Sequence, residues 1–217
     1  MKKRKFILVI AFSAALLALT IKVGYYYFIT LSFDELKSYC VENSYRSATE
    51  FKRMGNYDNP VTYSFWVAGD GDNSKGQELY VFYPKTLLNI DLTRFVDFKH
   101  SSELLNGTQK NVGMLYFTPR DQEGRKSPVN SIVFFSSNTA KKKINKYSIT
   151  YRITENGKSK EEAESSGLPL NPPFIVFAKD LGTIDGVKKE CIKAAFFFED
   201  GTVADEFLIE QSEPTVK

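Results

Sequence analysis

Residues 61–83 read VTYSFWVAGDGDNSKGQELYVFY. Val61, Tyr63, Phe65 and Val67 alternate with their neighbours, and ELYVFY at 78–83 answers them across a stretch of Gly, Asp, Asn and Ser. A period of two marks a strand that buries one face. Two such runs joined by turn-forming residues predict an antiparallel hairpin.

The joining loop also resembles three ligand motifs in outline. As a calcium loop it offers Asp70, Asp72 and Ser74 at the first, third and fifth positions. The glycine and bidentate carboxylate that such a loop needs are replaced by Lys75 and Val81. As a phosphate loop it has Gly71 and Gly76, but Gln77-Glu78 stand where Lys-Ser or Lys-Thr would reach phosphate and magnesium. As a dinucleotide fingerprint it has Gly69 and Gly71, with Ser74 in place of the third glycine. Each match fails at the residues that carry the chemistry. The loop reads as a hairpin connection, with Asp70, Asp72 and Glu78 as a weak, irregular cation candidate.

Further runs share this texture: VGMLYFT (112–118), NSIVFFS (130–136), KYSITYRIT (146–154), PFIVFA (173–178), CIKAAFFF (191–198) and ADEFLIE (204–210). They are rich in β-branched and aromatic residues and are bounded by Gly, Asn, Asp or Pro. ENGK at 155–158 and EDGT at 199–202 carry hairpin turn chemistry. Without a β-helix-β rhythm, these runs predict a mainly β, antiparallel sandwich-like or barrel-like domain. TLLNIDLTRFVDFKHSSELLNG (86–107) suits a helix or a strand, and SKEEAESSGLPLNPP (159–173) reads as an exposed connection.

The N-terminus has a different character. MKKRK precedes FILVIAFSAALLALTI, sixteen uncharged residues, and the apolar run resumes after Lys22 as VGYYYFITL. Sixteen helical residues span about 24 Å, short of a hydrocarbon core of roughly 30 Å, so the resumed run is needed to cross. Signal-peptide cleavage has little support. Ala18-x-Thr20 ends on the wrong residue, Lys22-x-Gly24 starts on one, and Ser13-x-Ala15 lies inside the apolar run. The reading is a retained anchor at 6–30. Phe6, Leu8, Ile10, Leu16 and Leu19 face lipid, and Tyr25, Tyr26 and Tyr27 form an aromatic belt. The basic residues place 1–5 in the cytoplasm and the rest of the chain outside.

These charges also explain the net +3. Without Lys2, Lys3, Arg4, Lys5 and Lys22, 24 basic face 26 acidic side chains, a net −2. The KKK at 141–143 has no interleaved aromatic to stack bases, so no nucleic-acid partner is indicated. After the anchor, Ser32 and Glu35 form a capping box. Phe33, Leu36, Cys40, Ala48, Phe51 and Met54 fall near one helical face, with Gly55 as the stop. The expected organisation is an amphipathic helix at 32–55, a β-domain at 56–210 and a polar tail at 211–217.

Catalytic signatures are sparse. His100 is the only histidine, Ser101 beside it lacks a nucleophile elbow, and neither Ser-x-x-Lys nor a cofactor motif occurs. An anchor, a helix and a β-rich head also outline type IV pilins. Those are cut after a glycine and carry an early glutamate, whereas here Lys5 precedes Phe6 and the first acid is Asp34. The expectation is therefore a single-pass membrane protein displaying a binding domain to a protein partner outside the cytoplasm. It would serve as an envelope-complex subunit or an inhibitor or immunity-type protein. The alternatives are a carboxylate-dependent hydrolase and a cleaved, soluble exported domain. Cys40 and Cys191, both beyond the anchor, are expected to form a disulfide closing a loop of about 150 residues, worth on the order of 5 kcal/mol.

Overall fold

The strand pairing expected within 61–83 is present in the computed structural model, which describes residues 2–43, 50–58, 62–69, 77–88, 90–103, 111–120, 125–137, 143–166, 169–170 and 173–209. Strand β2 (Thr62–Gly69) pairs antiparallel with β3 (Gln77–Leu87), from Gly69 opposite Gln77 to Ser64 opposite Phe82. Asp70 and Asp72 lie outside the described residues. β3 turns back at Leu88 into β4 (Ile90–Glu103), so the ambiguous segment is strand where described. Pro84 stands beyond the end of the β2 ladder, so its missing amide forfeits no bond there.

β1 (Glu50–Asp58) completes the first sheet in the order β1-β2-β3-β4. This corrects the helix expected over 32–55. Helix α2 spans Phe33–Asn43, and by Glu50 the chain runs as a strand against β2. Gly55 is no helix stop; it sits where the β1–β2 register shifts. Phe51 and Met54 fit a helical stripe locally, but β2 offers an open edge whose backbone groups need partners, and pairing satisfies them.

The second sheet holds β5 (Gly113–Phe117), β6 (Val129–Ser136), β7 (Ile144–Glu155), β8 (Lys158–Ser165), β9 (Phe174–Ile184), β10 (Val187–Phe198) and β11 (Val203–Leu208). Its order is β5-β6-β9-β10-β7-β8, with β11 also on β10. All described pairings are antiparallel. β8 corrects the exposed connection. Asn156 (φ 50°) and Gly157 (φ 74°) fold the chain tightly back along β7, and the result is an outer strand exposed along its length. Its charges suit that edge, since they discourage pairing with another chain.

β9 joins the two parts of the sheet only through its C-terminal end. It pairs with β6 from Phe174 to Gly182, then with β10 through Gly182, Thr183 and Ile184. Gly182 (φ 134°) is the pivot, and a side chain there would begin 3.0 Å from the Pro128 carbonyl oxygen. Farther along, β11 takes the same edge of β10.

β6 and β9 consequently form a wall with two buried faces. Val133 and Phe135, with Leu115, Phe117, Ile175 and Phe177, meet Tyr63, Phe65, Val67, Leu79 and Val81 of the first sheet. Ile132, Phe134, Phe174, Val176 and Ala178 point the other way, into a core with Ile149, Tyr151, Cys191, Ala194, Phe196 and Phe207. That double covering explains why NSIVFFS is a continuous apolar run. On the far face of the first sheet, Leu36 and Cys40 of α2 cover Tyr80, Phe82 and Phe95. A helix, a four-stranded sheet, the β5-β6-β9 wall and the β10-β7-β11 wall therefore follow one another.

That layering overturns the expected disulfide. Cys40 lies beneath α2 and Cys191 in the core beyond the middle wall, and both are free buried thiols. Packed sheets stand about 10 Å apart, and a disulfide requires Cα atoms within about 7 Å. Burial pushes the Cys191 thiol up to about 11, so it stays protonated and inert at neutral pH.

Candidate functional site

A densely bonded polar cluster joins the apolar helix to the β-domain. Helix α1 spans Lys2–Ile29, and its apolar part, Ile7–Ile29, is long enough to cross a membrane. Its last turn carries no basic residue to complement the negative end of the helix dipole. Arg94 of β4 supplies that charge. Its Nη2 donates to the carbonyls of Thr30 (2.6 Å) and Tyr27 (3.5 Å), and its Nε donates to Thr30 Oγ1 (2.8 Å). The guanidinium also lies 4.6 Å from the Tyr27 ring centroid. Thr30 Oγ1 in turn donates to the Tyr26 carbonyl at 2.7 Å.

Only Thr30, Leu31 and Ser32 separate the two helices, and each is tied down. Leu31 forms a β-bridge with Phe95, its amide and carbonyl making bonds of 2.7 and 2.8 Å. Ser32 and Glu35 form the expected capping box. The Ser32 amide donates to Glu35 Oε2 (2.6 Å), and the Glu35 amide donates to Ser32 Oγ (3.3 Å). Arg94 Nη2 lies 3.3 Å from the same Glu35 oxygen. The Ser32 amide and hydroxyl, with Arg94 adding its charge, hold the Glu35 carboxyl below its ordinary range.

Of the anchor residues, Leu8, Ile10, Leu16, Leu19, Tyr25 and Tyr27 are exposed along α1. Phe6 lies in the same helix. Tyr26 departs from the belt reading: it is 4% exposed and donates its hydroxyl to the Lys85 carbonyl at 2.6 Å. Three adjacent tyrosines thus divide by helical angle, with one docked on the domain and two facing outward. Sequence reasoning missed Arg94, since its partners lie 59 to 67 positions away. The absence of a basic residue in the last turn of α1 was the one available signal.

Replacing Arg94 with Met should destabilise the junction by about 2 kcal/mol, as charged hydrogen bonds to buried groups commonly do. The amides of Leu31 and Leu36 should exchange faster with deuterated solvent, and Arg94→Lys, which keeps charge without the fork, should fall between. Unchanged exchange in Arg94→Met would show that the junction is held by other contacts.

Of the remaining sequence candidates, Asp70 and Asp72 lie outside the described residues. Glu78 is buried and accepts a bond from the Tyr80 hydroxyl at 3.2 Å. Among the described residues no group of three or more His, Cys, Asp or Glu is placed to hold a metal ion. His100 and Ser101 occupy successive positions in β4, opposite Tyr80 and Leu79. A second polar cluster braces the outer strand: Glu164 of β8 accepts bonds from the Tyr147 and Tyr151 hydroxyls at 3.2 and 3.1 Å. Burial and the Glu164 charge push the Tyr151 phenol far upward, so it remains a neutral donor. Neither family models, nor curated proteins, nor solved structures match this chain.

Proposed function

We propose that this is a single-pass membrane protein that holds a β-rich binding domain rigidly against the outer side of a membrane, most simply a bacterial cytoplasmic membrane. The N-terminus faces the cytoplasm, and the domain engages a protein partner outside it, as an envelope-complex subunit or an inhibitor or immunity-type protein. The observation that carries this reading is the junction. Tyr26, Thr30 and Leu31 are bonded into β3 and β4 through Lys85, Arg94 and Phe95. A segment removed during export has no need of such contacts, and its loss would strip the β4 edge and the Arg94 guanidinium of their partners. Tethering also raises the local concentration of the domain at the membrane, so modest affinities suffice.

A reporter active only outside the cytoplasm, fused after Lys217, is expected to be active, and the purified product is expected to keep its N-terminal residues by mass spectrometry. An inactive reporter would reverse the orientation. A product beginning between residues 19 and 25 would make α1 a cleaved signal.

A further inference from the structure

We infer that the β3–β4 hairpin is a second membrane contact, with Leu88 and Ile90 seated in the outer edge of the bilayer beside α1. This rests on the reading of α1 as a retained anchor.

Two contacts fix where the hairpin points. Leu31 is bonded to Phe95, which lies opposite Pro84, and the Tyr26 hydroxyl is bonded to the carbonyl of the next residue, Lys85. Going from Leu31 to Tyr26 descends α1 towards its apolar span. Going from Pro84 to Lys85 approaches the hairpin tip. The tip therefore extends alongside α1 towards the membrane. Burial on α1 agrees: residues 7–22 are exposed throughout, Val23 is half-buried, and Tyr26 and Thr30 are buried. These three share one helical face, so the covering domain extends down to the level of Val23. Counted from Phe6, a hydrocarbon core of about 30 Å ends near Tyr25. The hairpin tip and the outer interface thus fall at the same height.

The chemistry of the tip fits that position. Leu88 is 52% and Ile90 58% exposed, while Leu87, the last residue of β3, is buried. Two other tight turns use Asn156-Gly157 and Asp185-Gly186 to reach left-handed backbone angles. At this turn Leu88 takes that conformation (φ 52°). Leucine is poorly suited to it, and in water its exposed side chain gains nothing in return. In lipid the exposed side chain is the gain. Lys85, exposed just above, places a cation at phosphate height. An exposed apolar tip at the height where the apolar span of α1 ends makes lipid the occupant.

The full-length protein, reconstituted in phosphatidylethanolamine–phosphatidylglycerol vesicles, provides the test. Single-cysteine labelling with an environment-sensitive fluorophore at Leu88→Cys and Ile90→Cys is compared with Val203→Cys on β11 and Leu16→Cys within α1. The buried native thiols make the unmodified chain the blank. Labels at 88 and 90 are expected to emit at shorter wavelength than the label at 203, to lose emission to a nitroxide on the lipid acyl chain, and to resist iodide. If 88 and 90 behave like 203 while 16 remains lipid-quenched, the hairpin inference is overturned and the anchor stands. If 16 also escapes lipid quenching, the anchor reading fails and the inference fails with it. Shielding of 88 from both quenchers would seat it against protein and overturn the lipid assignment.

Discussion

Replacing Phe134 with alanine is expected to lower the unfolding free energy by about 4 kcal/mol, well within the range for truncating a buried aromatic side chain. Phe134 is fully buried in β6, with its ring centroid 5.3 Å from that of Phe196 and 5.4 Å from that of Phe207. The cost is high because the site cannot collapse. Its backbone belongs to the middle wall, whose opposite face is already packed through Val133 and Phe135 against the first sheet. Tyr116, half-exposed on neighbouring β5, gives the comparison. Its truncation should cost under about 1 kcal/mol, as for surface changes. Urea unfolding of the detergent-solubilised protein, followed by intrinsic fluorescence, measures both. Equal costs would mean that β6 is not covered on both faces.

The second large effect is expected at Gly182, where alanine should cost about 3 kcal/mol. Two penalties combine there. A side chain at φ 134° is strained, and its Cβ would press on the Pro128 carbonyl oxygen at 3.0 Å. Backbone on both sides resists relief, because Gly182 pairs with Val129 of β6 and Lys189 of β10. Gly157 in the β7–β8 turn isolates the first penalty: its φ is 74°, and an added Cβ would meet nothing within 4 Å. Gly157→Ala should therefore cost only about 1 kcal/mol. Should the two glycines prove equally tolerant in the same unfolding assay, the close approach at the pivot is not a constraint.

These residues also mark the division between local and non-local information. The sequence by itself determined the apolar N-terminal helix, the Ser32–Glu35 capping box, the 61–83 hairpin and the Asn156-Gly157 turn. Each depends on chemistry within a few covalent neighbours: unbroken apolarity, an oxygen within reach of an orphan amide, a period of two, or a residue tolerant of positive φ. The sequence also announced β6 as a continuous apolar strand, without telling which elements cover its two faces. Only the tertiary structure decided that Phe51 and Met54 belong to a strand, that SKEEAES forms an outer edge, and that Arg94 closes the end of α1. Only it decided that Cys40 and Cys191 lie in different layers. In each case the partner comes from far along the chain, and no local pattern encodes which open sheet edge, helix end or buried face a segment will meet. Residue types state what a segment needs; the assembled layers decide which partner supplies it.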